Sequence, residues 1–303
     1  MKNLKFIIKI AIFTLLIFMN TGLTFSQEKS NRTVKIAKNV YSFTSNNGYY
    51  SMFIITEDGV IVIESVSTKH SKEMVREIKK ITNKPIKYLL HSHNHWDHSS
   101  GGQVFLDIGA TTLAHIEAYK WMKANPGRDM AIPKEYWNGN KKEITLGNST
   151  IELHYLGMNH GLGMTVFILP KHKLAYIADL VTPNRVLPMI VPDFNIKEWE
   201  KSLKELLKMD FNKAIYSHNE KTNGLAIYGG DKKDIKLLSR FIKDIRAGIY
   251  NELKKGTPPF EIPNILKLPK YKHWNKYDEW LALNVWRILL DEWMGPFPWK
   301  ANN

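Results

Sequence analysis

The chain reads as an α+β protein in which two β-sheets stack face to face with helices outside. Three observations predict this. Short runs rich in β-branched and aromatic residues alternate with longer amphipathic stretches. The order strands, helix, strand, helix occurs twice along the 303 residues. No repeat of solenoid period interrupts that order. Taken from the N-terminal side, residues 40–43, 50–56 and 60–64 are strand-like, and Glu57-Asp58-Gly59 reads as a hairpin turn between the last two. Met74, Val75, Ile78 and Ile81 fall at helical spacing in a Lys/Glu-rich segment that ends before Pro85. Residues 86–90 are expected as a strand buried on both faces. A strand at 111–114 and a short helix at 117–123 follow, then an expected long loop over 125–142 that contains Tyr136 and Trp137.

The second sheet is expected from the runs 144–146, 151–156, 164–169 and 174–178. Trp199, Leu203, Leu206 and Leu207 mark another amphipathic helix, and 214–216 another strand. A long helix over 231–254, a Pro-rich connection over 257–269 and a last helix over 277–293 close the chain. In that last helix Trp280, Leu283 or Asn284, Arg287 and Leu290 fall in register. This predicts a catalytic domain over 27–230 and a helical C-terminal extension over 231–303.

Composition bounds the chemistry. With 44% apolar and 24% charged residues, the chain is an ordinary globular protein, not a disordered one. It has no cysteine, which excludes disulfides, zinc ribbons and a cysteine nucleophile. Any transition-metal site must draw on its 11 histidines and on carboxylates. Lys2 and Lys5 precede an apolar core over 10–19, and Thr24-Phe25-Ser26 forms a small-x-small site before Gln27. That is the layout of a secretory signal peptide over 1–26, and it predicts a periplasmic or secreted protein. The apolar core is shorter than the ~20 residues a membrane span needs, so no stable membrane insertion is expected after cleavage. Without the three lysines of that segment the charge falls from +14 to +11. The remaining lysines scatter along polar helix faces, so no nucleic-acid partner is expected.

The decisive segment is His91-Ser-His-Asn-His-Trp-Asp-His98, followed by Ser-Ser-Gly101-Gly102. Within it, His93-x-His95-x-Asp97-His98 sets three imidazoles and a carboxylate in six residues. Nitrogen donors with one hard oxygen suit a zinc-like divalent ion. If His93 and His95 project together while Asp97 and His98 point elsewhere, one loop serves two metals roughly 3.5–4 Å apart, the arrangement of two-metal hydrolysis. The glycine pair permits a tight turn or close backbone approach. His91 stands one step outside the pattern and is read as a core residue or a partner of the ligands. No Gly-x-Ser-x-Gly elbow is present to support a covalent route.

This motif resembles the signature of the metallo-β-lactamase superfamily, and three downstream segments are similar to the family's as well. They are Leu-Gly-Met-Asn-His160-Gly, Leu-Ala-Tyr-Ile-Ala-Asp179-Leu and Ala-Ile-Tyr-Ser-His218-Asn-Glu. The resemblance covers roughly residues 33 to 225. It implies the four-layer αββα sandwich and two Zn2+ per chain. His93, His95 and His160 would hold the first ion and Asp97, His98 and His218 the second, with Asp179 bridging. It also implies a hydroxide shared by the ions as nucleophile, oriented by the catalytic Asp97, that attacks an ester, amide, lactone or similar bond of a small molecule. Two further readings stand beside it: a β-lactamase, or a non-catalytic metal-binding sensor.

Departures narrow the resemblance. The β-lactamase class with a cysteine ligand is excluded. Asp179 is similar to the glyoxalase II, lactonase, sulfatase and tRNA-processing branches. His95 stands where the diiron branch has glutamate, which favours zinc. Glu64 takes the place of the family's strand-end aspartate. The extension matches no particular branch. Its Trp280, Trp286, Trp293 and Trp299 fit core packing, a lid or a dimer surface. Trp121, Tyr136 and Trp137 are expected to line the pocket, and Arg185 to meet a substrate carboxylate. His70, His115, His154, His172 and His273 have no assigned role.

Overall fold

The computed structural model describes residues 32–45, 47–127, 129–218 and 229–295. The expected signal segment and Trp299 lie outside the described residues. The first sheet has seven strands in chain order: β1 (Thr33–Ala37), β2 (Val40–Phe43), β3 (Ser51–Ile55), β4 (Val60–Ile63), β5 (Ile86–Leu90), β6 (Thr111–His115) and β7 (Glu135–Trp137). Its first four strands pair antiparallel, and β4 through β7 pair parallel. The second sheet has five: β8 (Lys141–Leu146), β9 (Ser149–Tyr155), β10 (Thr165–Leu169), β11 (Leu174–Tyr176) and β12 (Lys213–Ile215). Only its β11–β12 pair is parallel. The parallel connections carry the helices: α1 (Thr68–Ile81), α2 (Trp96–Ser99), α3 (Gln103–Asp107) and α4 (Ile116–Ala124) in the first half, and α5 (Ile196–Lys208) in the second. Beyond β12 come α6 (Lys232–Lys254), α7 (Ile262–Ile265) and α8 (Tyr277–Met294). No helix among the described residues is long and apolar enough to cross a membrane.

Side-chain alternation sorts the apolar residues into layers. On one face of the first sheet Phe43, Phe53, Val60, Val62 and Leu89 pack against Met74, Val75 and Ile78 of α1 and Phe105 of α3. On the other face Val40, Met52, Ile54, Ile61, Ile63 and Leu90 join Ile144, Ile151, Leu153, Val166 and Ile168 of the second sheet. Each fully buried side chain of this kind contributes roughly 1.5–3 kcal/mol. The same inter-sheet core runs on through Trp199 and Leu203 of α5 to Ile235, Leu238, Phe241 and Ile242 of α6. Asp231 and Asp234 start α6 with a reciprocal capping box.

Three expectations need correction. Residues 125–142 are not one loop: Glu135–Trp137 pairs in parallel with β6, because an aromatic edge strand completes that sheet. The strand at 86–90 exposes Lys87, so only its C-terminal half is buried on both faces. The buried stripe of α8 keeps Asn284 and Arg287 of the expected register, leaves Trp280 and Leu290 only half-buried, and adds Leu281, Val285, Ile288 and Leu289.

Two polar side chains of that stripe face inward. Asn284 accepts from the Leu187 N–H at 3.0 Å and donates to the carbonyls of Leu187 and Met189 at 2.9 and 3.0 Å. Arg287 donates to the carbonyls of Phe194 and Pro192 at 2.5 and 3.3 Å. The last helix thus clamps the backbone of 187–194, a segment without regular pairing of its own. We predict that Asn284→Leu, of similar size, strands these buried backbone groups and lowers unfolding stability by roughly 3 kcal/mol. Denaturant unfolding checks this. A loss below about 0.5 kcal/mol, the ordinary scatter of surface substitutions, would show that the clamp does not hold the segment.

Candidate metal centre

The site lies where segments from both sheets run past their strand ends. The chain leaves β5 through His91–His95 and enters α2, so Asp97 and His98 sit on one helical turn, not in an open loop. His160 comes from the β9–β10 connection, and Asp179 from a 3-10 turn, Ala178–Leu180, just after β11. His218 follows β12. The segment before β3 is tied to it by the Tyr50 N–H, which donates to the Ser217 carbonyl at 2.9 Å. All seven expected ligands converge here, and His91 stays apart, buried beside Gly102.

Asp179 is the focus. Its Oδ2 lies 3.3 Å from His98 Nε2, 3.4 Å from His218 Nε2 and 3.5 Å from His160 Nε2. His93, His95 and His160 form one group able to hold an ion, and Asp97, His98 and His218 another. A third, Glu64 with His93 and His98, competes with an existing bond, because Glu64 already meets His98 Nδ1 at 2.9 Å. His93 Nε2, His98 Nε2, both nitrogens of His160 and Asp179 Oδ1 are buried with no hydrogen-bond partner in the protein. Buried polar atoms are rarely left so, and divalent cations in the two groups would satisfy one nitrogen of each ring and the free carboxylate oxygen.

The ring nitrogens turned away from the centre are mostly fixed. His93 Nδ1 bonds Ser92 Oγ at 2.7 Å, His95 Nε2 meets Asp193 at 3.0 Å, and His218 Nδ1 donates to the Gly48 carbonyl at 3.2 Å. Such outer partners set ring orientation and donor strength. Gly161 permits the close approach behind the rings, since a Cβ there would lie 2.8 Å from Asn94 Oδ1 and 3.1 Å from His93 Cδ2. Gly101, at φ +78, makes the turn expected of the glycine pair, where a Cβ would meet the Ser67 backbone at 2.3 Å. Three non-glycine residues beside the centre also have positive φ: Glu64 (+73), Val66 (+67) and Ala178 (+51). For β-branched Val66 this is real strain.

The electrostatics fit a cation. Burial, with His98, His95 and His160 adding to it, holds His93 far below the usual histidine range. Burial pushes His160 down to about 3. Both rings are therefore neutral, as metal ligands must be. His98 goes the other way. Burial opposes its charge, but Asp179, Asp97 and Glu64 together raise it well above the usual range. Burial would likewise raise Asp97 and Asp179, yet His98 pulls the first down, and His218 and His98 the second. Three carboxylates thus stabilise positive charge at one buried point.

Two participants had no sequence signal. Tyr49 donates to Asp97 Oδ2 at 2.8 Å, and its ring lies 4.3 Å from that of His218. Burial and Asp97 raise its pKa, so it remains a donor. Asp193 reaches His95 from the segment clamped by α8. Above the centre opens a cavity of 440 Å³, walled by Trp96, Trp121, Arg185, Met189, Val191 and Trp280. Of the expected wall aromatics only Trp121 is there. Trp137 is buried against His115, and Tyr136 stacks on Tyr119 at the surface. The Arg185 guanidinium lies 5.7 Å over the Trp280 ring. A larger groove of 610 Å³, lined by Lys141, Tyr155 and Lys208, contains none of the centre's residues.

The metallo-beta-lactamase superfamily profile matches residues 46–218, and the chain belongs to that superfamily. It is 28% identical over 195 residues to the 2,4-dinitroanisole O-demethylase subunit alpha of Nocardioides sp. (strain JS1661), covering 63% of this chain and 58% of that protein. It is 24% identical over 179 residues to metallo-beta-lactamase IND-1 of Chryseobacterium indologenes, covering 57% of this chain and 73% of that protein. Among solved structures, the stereoselective inverting sec-alkylsulfatase Pisa1 from Pseudomonas sp. superposes with a TM-score of 0.70 at 15% identity, over 87% of this chain and 50% of that one. The chain thus spans little more than half of the demethylase subunit and half of the sulfatase. Members of the superfamily are metallo-hydrolases or related enzymes.

We predict that His93→Ala and Asp179→Ala each remove most bound metal, read by mass spectrometry of the folded variants. Full metal in both would refute the ligand set. We predict that Tyr49→Phe keeps the metal count but lowers affinity roughly 10- to 100-fold, read by chelator competition. Unchanged affinity would show that Tyr49 does not position Asp97.

Proposed function

We propose that the protein is an exported hydrolase that binds two zinc ions and cleaves an ester, amide, lactone or similar bond of a small molecule. The observation that carries this reading is the convergence of three imidazole Nε2 atoms on Asp179 Oδ2 within 3.5 Å, with His93, His95 and Asp97 alongside. An all-imidazole-and-carboxylate donor set supports zinc over softer ions. Bound zinc would supply a nucleophilic hydroxide near neutral pH and polarise the scissile bond.

The chain's own residues do the rest. Asp97, exposed at the cavity floor and bonded to Tyr49, is placed to accept a proton from the attacking water and pass it to the leaving group. Asp193 and Glu64 hold His95 and His98 in orientation. Trp96, Trp121 and Trp280 exclude water around the bound molecule. Export rests on the sequence of residues 1–26. A β-lactamase activity is the second reading, supported by the likeness to IND-1.

The test pairs metal content of the mature protein with a hydrolysis panel of β-lactam, lactone, carboxylic ester, aryl sulfate and phosphodiester. About two zincs with one class turned over is the expected result. A β-lactam as the preferred class would establish the second reading. Two zincs with no turnover would shift the protein to a binding role, and no zinc would overturn the reading. N-terminal sequencing of the exported protein is expected to start near Gln27, and a start at Met1 would replace the signal peptide with an anchor.

A further inference from the structure

The 440 Å³ cavity divides sharply by chemistry. Its floor holds the carboxylate and imidazole groups of the centre, while its walls are apolar except for Arg185, whose guanidinium lies over the Trp280 ring. Trp96 and Trp121 stand as a tilted pair with ring centroids 6.5 Å apart. Trp280 of α8 joins the same wall, so three of the chain's nine tryptophans line one cavity. Met189 and Val191 come from the segment that Asn284 and Arg287 clamp. Trp96 and Met189 are about half exposed, at 49% and 50%. Single exposed apolar side chains are ordinary on a protein surface, but several turned into one concavity mark a binding site. A small-molecule site uses apolar walls for affinity and a few polar groups for orientation.

We propose that the substrate's non-reacting part is apolar, an aryl or medium-chain alkyl group seated between the Trp96–Trp121 pair and Trp280, with the scissile bond on the floor; in a carboxylic ester of this kind the acyl group takes that seat. This rests on the hydrolase reading and narrows it. Hydrolysis adds water across the acyl–oxygen bond: the C–O bond breaks, a carboxylate and an alcohol form, and one proton is released. The C-terminal extension is then a specificity element, because it supplies Trp280 directly and holds Met189 and Val191 in place.

The carboxylate product presents the same apolar group without needing turnover, so binding tests the cavity separately from catalysis. Zinc-loaded protein is titrated calorimetrically with acetate, butanoate, hexanoate, octanoate, phenylacetate and naphthylacetate. The expected result is a Kd that tightens about fourfold per methylene, with a negative heat-capacity change that grows along the series. Trp121→Ala and Trp280→Ala are expected to flatten that slope, and Trp280→Phe to keep most of it. Zinc content and thermal midpoint show that each variant is folded. A slope near zero in the wild type, or an unchanged slope in both folded alanine variants, overturns the proposal. A steep slope with no turnover across the hydrolysis panel leaves the apolar site standing and sinks only the hydrolase reading.

Discussion

Asp179 is a buried carboxylate with three imidazole nitrogens arranged around one of its oxygens. Burying such charge is costly unless it is fully paired and hydrogen-bonded. Protein groups alone do not complete the pairing, since the other oxygen and several of the facing nitrogens have no hydrogen-bond partner. The layered fold exists around this demand. The first sheet brings the His93–His98 segment to one end of the sandwich, and the second brings His160, Asp179 and His218 to the same end. Each of the two ion-holding groups drawn from the expected ligands takes donors from both halves.

Positioning falls to a wider ring of residues. Ser92, Asp193, Glu64 and the Gly48 carbonyl each take the nitrogen that a histidine turns away from the centre. His160 has no such partner and is held instead by the rings of Phe194 and Trp199, at 5.0 and 5.4 Å. The backbone contributes through strain: Glu64, Val66 and Ala178 occupy positive φ next to the groups they carry. Strain of order 1–3 kcal/mol per residue persists only where surrounding structure fixes the conformation. Here the Val66 N–H donates to the His98 carbonyl, locking the bent strand end to the ligand turn.

The residues that converge at the centre were legible in the sequence because four of them lie within six residues, and the others follow strand-like runs in order. The two-sheet layering was legible from the order of those runs and the amphipathic stretches, but the faces were not, because residues 52–55 and 60–63 are apolar throughout and only the structure sorts them. What escaped were pairings between distant segments. Tyr49 meets Asp97 across 48 residues, and Asp193 meets His95 across 98. Neither leaves a local pattern. Trp137 misled because an aromatic in a Pro/Gly-rich stretch suggests an open loop, whereas sheet pairing draws it inward. In α8, helical periodicity gave the length and the inward Asn284 and Arg287, but not the apolar Leu281, Val285, Ile288 and Leu289 beside them.

The Asn284 and Arg287 clamp makes the centre answer to a distant helix. Every expected ligand precedes residue 219, yet the segment carrying Asp193 and part of the cavity wall takes buried hydrogen bonds from α8. A chain cleaved before that helix would keep all its donors and lose that support.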